Sequence, residues 1–296
     1  MNKNKQLLQE AQRELTEYVV SQLEAGHSWR KCWNTANGLP SSINTGQIYK
    51  GMNLLWLLYT QDKKGFSSSQ WGTFKSWKEK GASVKKGQKA TSIIFFKPIK
   101  KEDNEGKEQV YFALKRYSVF NRSQVDGLKV EESAQENEEF KCNSGILFKY
   151  TENQNISVEF TDSVNPCYSP SLDRICLPTA FTNKAGGWST VAHEIIHSTG
   201  HKSRLNRDGV ASCAVMKMGN LHDYSYEELI AELGSLFLCT ELGLSTEDSK
   251  KQSAAYLASW AKVLKSNPDY LWKASSEASK AVQFVQSIIN QSKQGE

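Results

Sequence analysis

Apolar residues recur at helical spacing through Leu7, Leu8, Ala11, Leu15, Tyr18, Val19 and Leu23, which predicts an amphipathic helix over about 5–25, ended by Gly26. A polar stretch through Asn37-Gly38-Leu39-Pro40 and Asn44-Thr45-Gly46 reads as loop. Short helices are expected near 52–61 and 70–80. Two β-rich runs, around Thr91-Ser92-Ile93-Ile94-Phe95-Phe96 and Val110-Tyr111-Phe112-Ala113-Leu114, predict strands over about 91–99 and 110–120, joined by a charged turn. This half reads as α+β. Glu131 to Glu139 is acidic and free of large apolar residues, which marks a linker over 131–141 between a domain of residues 1–130 and another of 142–296. Beyond it, Ile156 to Phe160 has strand character, and Tyr168 to Leu177 reads as a hairpin turning at Pro170 to Asp173. Helices are expected near 224–243, 246–265 and 274–291, so the second half is mostly helical with a small sheet. There is no internal repeat.

At 296 residues the chain has room for two ordinary domains, and its formal charge of +5 hides an asymmetry. Residues 1–129 carry 22 Lys and Arg against 11 Asp and Glu, whereas 130–296 carry 15 against 21. A basic half beside an acidic one suggests two jobs, one of them on a polyanion. The six cysteines form no C-x-x-C pair, which excludes a Cys-rich zinc finger and a disulfide scaffold and fits a reduced cytoplasmic protein. The N-terminus lacks the apolar core of a secretory signal, and no run approaches 18 apolar residues, so no membrane association is expected.

The strongest chemical signal is His193-Glu194-Ile195-Ile196-His197. Histidines four apart on a helix aim both imidazoles at one ion, and Glu194 between them is placed to accept a proton from water. At this composition chance would give the pattern roughly 0.01 times per chain. Gly186-Gly187-Trp188-Ser189-Thr190 supplies a helix start, with Ser189 or Thr190 as cap, and Gly200 a stop. The rest of the segment is apolar or small, so the polar triplet sits on a core helix that could not bury it unpaired. The pattern is that of a zincin-type centre holding Zn2+, with Mn2+ or another divalent ion as alternatives.

A catalytic zinc usually takes three protein ligands and keeps one position open. Ser203 stands where a metzincin would need histidine, and Gly200 separates His201 from the helix, which makes His201 an outer or surface residue. The better source is Tyr226-Glu227-Glu228-Leu229-Ile230-Ala231-Glu232-Leu233-Gly234, where Glu228 and Glu232 lie one turn apart on a shared face. One can take the metal while the other orients a histidine. Glu232 is the favoured ligand and Glu228 the supporting acid, because Gly234 and Ser235 follow it and permit close helix approach.

Five of the eight tryptophans fall in the first 80 residues, among basic groups. Basic side chains track a phosphate backbone while aromatic faces stack on unpaired bases, so Trp29, Arg30, Lys31, Trp33, Lys50, Trp71, Lys75, Lys85 and Lys86 are candidate contacts for single-stranded DNA.

Trp29-Arg30-Lys31-Cys32-Trp33, Gly38-Leu39-Pro40, Tyr49-Lys50-Gly51-Met52-Asn53, Trp71-Gly72-Thr73-Phe74 and Gly81 to Gly87 are followed by Tyr168-Ser169-Pro170-Ser171-x-Asp173-Arg174-Ile175. The metal motif through His201, Ser203-Arg204-Leu205 and Glu227-Glu228-Leu229-x-Ala231-Glu232 complete the series. In this order the chain resembles the ArdC-type antirestriction proteins of conjugative plasmids and the N-terminal part of related plasmid primases. Cys32 replaces the proline common in the family's tryptophan motif. The resemblance implies an N-terminal single-stranded-DNA-binding domain, a C-terminal gluzincin-like metallopeptidase domain, and protection of incoming plasmid DNA from host restriction during conjugation. Its peptide substrate would then be a protein of the host restriction system. Two other readings stay open: a DNA-binding shield whose metal is structural, and a protease whose basic half is a docking module.

Overall fold

The computed structural model describes residues 3–28, 32–35, 37–102, 108–128, 145–162, 165–181, 184–213, 221–244 and 254–292. The expected linker, 131–141, lies outside them, as do Trp29, Arg30 and Lys31. The chain gathers into two compact units. The first comprises Met1–Leu15, Ala36–Tyr49 and Asn53–Glu132, and the second Thr16–Thr35, Lys50–Met52 and Ser133–Glu296. The expected basic domain, 1–130, is therefore interrupted, and Trp33 and Lys50 belong to the second unit.

The amphipathic pattern at the start forms helix α1 (Lys3–Glu24). In the first unit a four-stranded sheet runs in the order β1 (Ser41–Ser42), β2 (Gln70–Thr73), β5 (Glu108–Asn121), β4 (Thr91–Glu102). Strands β4 and β5 form the long hairpin expected, with Thr91 opposite Val119 and Phe95 opposite Lys115. Helix α2 (Gly51–Lys63) is fixed to β4 by the buried Asn53 side chain, which donates to the Ile94 carbonyl at 2.7 Å and accepts from its N–H at 3.0 Å.

The helix expected over 70–80 is instead strand β2 followed by a short helix, α3 (Phe74–Glu79). Thr73 divides them: its hydroxyl accepts the Ser76 N–H as an N-cap, while Trp71, Gly72 and Thr73 pair with β5. Gly72 is required there, because a Cβ would lie 2.5 Å from Ile43 Cγ2 and 3.1 Å from Trp77 Nε1. Strands β3 (Ser83–Val84) and β6 (Val125–Asp126) make a separate two-stranded ribbon over Trp77 and Ala82.

In the second unit helix α4 (Gly145–Asn153) precedes a three-stranded sheet in the order β7 (Ser157–Phe160), β9 (Arg174–Leu177), β8 (Cys167–Ser169). Strand β7 is parallel to β9, and β8 antiparallel, which is the expected hairpin. Helix α5 (Lys184–Thr199) carries the metal motif. It begins before the expected cap at Ser189 or Thr190 and takes in both glycines; Gly187 is tolerated because the Phe181 ring packs where a Cβ would stand, 3.0 Å away. Helices α6 (Asp208–Cys213), α7 (Leu221–Glu241), α8 (Ala254–Ser266) and α9 (Tyr270–Ser292) complete the unit. Ile195, Ile196, Leu229, Leu233, Leu236 and Phe237 are buried in it. The architecture is mixed α and β, and no helix among the described residues is long and apolar enough to cross a membrane.

Candidate metal centre

Helix α5 stacks His193 and His197 one turn apart, with their Nε2 atoms 3.1 Å from each other. Helix α7 brings Glu228 against both: Oε2 lies 3.6 Å from His193 Nε2, and Oε1 lies 3.4 Å from His197 Nε2. The three donor atoms lie within 4.8 Å of one another, a set of two imidazole nitrogens and one carboxylate that suits a divalent ion. Close helix approach makes this possible, since a Cβ on Gly234 would stand 2.8 Å from Ile196 Cγ2. Gly234 thus does what the sequence suggested, but the acid it brings to the histidines is Glu228. Glu232, the expected ligand, lies a turn further on, outside the three-residue cluster, and its negative charge acts on His193.

Burial opposes the charge of Glu228, but its close contacts with His193 and His197 overcome this and hold the carboxyl well below the usual range. Burial pushes the His197 pKa down, and its contacts with Glu227 and Glu228 raise it well above normal on balance. Glu194 differs: it is buried beside the pair, and desolvation raises its carboxyl despite the nearby histidines. A raised carboxyl beside a metal site is suited to taking and returning a proton. The Tyr168 backbone amide, on strand β8, offsets part of that rise.

Two further residues were not singled out in the sequence. Glu227 Oε1 lies 3.3 Å from His197 Nδ1, on the opposite side of the ring from Glu228. Arg207 in turn clamps Glu227, donating from Nη2 at 2.6 Å and from Nε at 2.9 Å, and also bonds the Thr199 hydroxyl and the Ile196 carbonyl. The sequence places Glu227 next to Glu228, where helical spacing points it to another side; nothing in the pattern marks Arg207, which arrives through the turn after Gly200. That glycine is also needed there, since a Cβ would meet Arg207 Cζ at 2.9 Å.

Arg204 ties the hairpin to the same helix. Its Nε donates to the Ser198 carbonyl at 2.7 Å, Nη1 to Asp173 Oδ2 at 3.0 Å, and Nη2 to Asp173 Oδ1 and to the Tyr168 hydroxyl. His201 is turned to Ser203, 2.7 Å from its hydroxyl, and stays outside the metal cluster.

Placement of the expected DNA contacts is uneven. Trp71 is 0% exposed, packed with Leu57, Ile93 and Val119, and Trp33 is buried in the second unit, so neither face is open to a base. A large aromatic next to a strand partner fills the core, which outweighs its value as a stacking platform. Lys50, Lys75, Lys85 and Lys86 are exposed. Lys75 sits 3.7 Å from Glu79, and Lys85 is 3.6 Å from Asp126. Among the described residues of the first unit, Phe74, Phe95 and Tyr117 are the exposed large aromatics, 58%, 44% and 36% exposed. Phe95 and Tyr117 meet edge to face at 5.5 Å, and Lys115 Nζ lies 5.1 Å from the centre of the Tyr117 ring.

Residues 9–120 match the N-terminal domain of the antirestriction factor ArdC, and 148–277 match a zincin-like metallopeptidase domain. Fold and sequence together define a two-part protein, an ArdC-type N-terminal domain joined to a zincin-like one. The crystal structure of the antirestriction ArdC protein from the R388 plasmid, in its metal-free form, superposes with a TM-score of 0.72 at 34% identity, over 95% of this chain and 98% of that one. Its Mn(II)-bound structure gives 0.71 at 33% identity, over 94% and 97%. The chain belongs to the ArdC antirestriction family. It is also 28% identical to an uncharacterized protein of Sinorhizobium fredii, covering 92% of this chain and 90% of that one. A DNA primase TraC of Escherichia coli is 30% identical over 92% of this chain, which spans only 26% of the primase.

Proposed function

We propose that this chain binds single-stranded DNA without strong sequence preference, shields incoming plasmid DNA from host restriction in the cytoplasm during conjugation, and carries a metallopeptidase-type centre. The observation that carries the reading is the convergence of His193, His197 and Glu228 with Glu194 beside them. His193, His197 and Glu228 would hold the ion, with Glu227 fixing the His197 ring. The donor set suits Zn2+, and the Mn(II)-bound structure of the R388 relative supports a divalent ion more broadly. When bound, such an ion acts as a Lewis acid toward a carbonyl and activates water. Glu194, buried beside the histidine pair with its carboxyl raised, takes the proton at its carboxylate and returns it to the leaving amine. The peptide substrate would come from the host restriction system.

For DNA the excess positive charge of the first 129 residues supplies phosphate attraction, and Phe95 and Tyr117 with Lys115 supply a stacking surface in place of Trp33 and Trp71, which the sequence suggests together with Trp29 and which are buried. The full chain is the form to measure, because residues 16–35 and 50–52 group with the second unit and a cut at 129 would divide it. Restriction of transferred plasmid DNA in mating cells, compared for wild type, Glu194→Ala and Tyr117→Ala, tests the whole reading. Protection should fall with both variants. Full protection by Glu194→Ala with loss in Tyr117→Ala would leave a DNA shield without hydrolysis; full protection by both would overturn the reading.

A further inference from the structure

Cys167 and Cys176 stand directly opposite each other on antiparallel strands β8 and β9. On the other edge of β9 the Asp173 and Leu177 carbonyls accept from Ser157 and Thr161, so Ile175 turns its backbone groups toward β7 and forms a pair with Tyr168 without mutual backbone bonds. Alternation then makes Cys167 and Cys176 the pair that exchanges backbone bonds, for which the Cα separation is about 5.5 Å. That value lies in the range a disulfide spans, about 4.4–6.8 Å, while the Cβ separation of such a pair, toward about 5.5 Å, exceeds the about 3.5–4.5 Å of a relaxed disulfide, so the bond closes under strain and is readily reduced. The side chains project on one face of the sheet, and both thiols are free. Cys167 is exposed and Cys176 half-buried, whereas Cys32 and Cys239 are buried.

We propose that Cys167 and Cys176 are a redox-modification site, a dithiol that a small-molecule disulfide such as oxidised glutathione converts to a cross-strand disulfide. The thiolate of exposed Cys167 attacks one sulfur of the oxidant, forming a mixed disulfide and expelling one thiol. The Cys176 thiolate then attacks the Cys167 sulfur, forming the Cys167–Cys176 bond and expelling the second thiol. Two protein thiols are oxidised, and one disulfide is reduced to two thiols. A bond here would be accessible at Cys167 and thus of the labile kind that reductants reopen. It would also pin the strand of Tyr168, whose hydroxyl accepts from Arg204, itself bonded to the Ser198 carbonyl of the metal-motif helix, placing the metal centre next to a redox-dependent cross-link. This inference does not depend on peptide hydrolysis.

The full chain is incubated with oxidised glutathione, free thiols are alkylated, and tryptic peptides are mapped without reductant. Cleavage after Arg174 puts the two cysteines on different peptides, so the cross-link is read directly. The expected result is a linked Cys167 and Cys176 pair retaining no glutathione and reopened by dithiothreitol, with Tm shifted upward in the oxidised protein. Cys176→Ser should instead keep one glutathione on Cys167. Stable glutathione on Cys167 of the wild type, or two cysteines alkylated as in untreated protein, would overturn the proposal.

Discussion

Glu227 faces the outer ring nitrogen of His197, 3.3 Å from Nδ1, while Glu228 faces the inner one at 3.4 Å. Two neighbouring acids on one helix thereby hold a single imidazole from opposite sides. A carboxylate on the outer nitrogen fixes the tautomer that leaves Nε2 free for a metal. Glu227→Ala is expected to weaken Mn2+ or Zn2+ binding by roughly 10- to 100-fold, measured by calorimetric titration. It also strands the buried Arg207 guanidinium, so Glu227→Gln, which keeps the shape, should cost less stability than the alanine variant.

Gly234→Ala should act on the same centre from a distance. The added methyl meets Ile196 Cγ2 at 2.8 Å, so either the buried Ile196 side chain repacks or α7 moves off α5 and carries Glu228 with it. A loss of about 1–3 kcal/mol in stability is expected from chemical denaturation, together with weaker metal binding.

Acid sensitivity should trace to Asp173. Burial opposes its charge, but hydrogen bonds from Arg204 and Tyr168 outweigh burial and hold the carboxyl below its ordinary 3.8. A carboxyl depressed on folding contributes stability that is present above its unfolded pKa and is lost as pH falls through the lower folded value. Asp173→Asn should therefore lower Tm at neutral pH and flatten the further fall of Tm below about pH 4.

Two aromatic substitutions should separate folding from the proposed DNA binding. Trp71→Ala empties a fully buried site and should cost about 3–5 kcal/mol. Tyr117→Ala removes a half-covered ring and its edge contact with Phe95 and should cost about 0.5–1.5 kcal/mol, well short of the Trp71 loss. Its cost should appear in fluorescence anisotropy with a labelled oligothymidine as a roughly 5- to 100-fold weaker affinity, the worth of one stacked base. Wild-type affinity should fall steeply with salt.

Much of this architecture follows from local pattern. The period of Leu7 to Leu23 specifies α1, the alternation around Ile93 and Val119 specifies the β4–β5 hairpin, and His193 to His197 announces the centre. What the pattern does not contain is rotation of one helix against another. Glu228 and Glu232 share a face of α7, and which of them meets the histidines depends on where Gly234 seats against Ile196, a contact 38 residues apart in sequence. The same holds for the tryptophans: nothing local tells Trp71 in a sheet core from a tryptophan on a surface, and β2 became visible only through its pairing with Asn121, Phe120 and Val119. Arg207 and Arg204 are set by a turn whose course depends on Gly200, so their roles emerge only in three dimensions.

The assignment of Glu228 as the third ligand is tested most directly by titrating Mn2+ into wild type, Glu228→Ala and Glu232→Ala and reading the Kd. The geometry calls for a loss of 100-fold or more with Glu228→Ala and a change of less than about tenfold with Glu232→Ala, since the former removes a ligand and the latter a more distant charge. Retained affinity in Glu228→Ala with binding abolished in Glu232→Ala would contradict it.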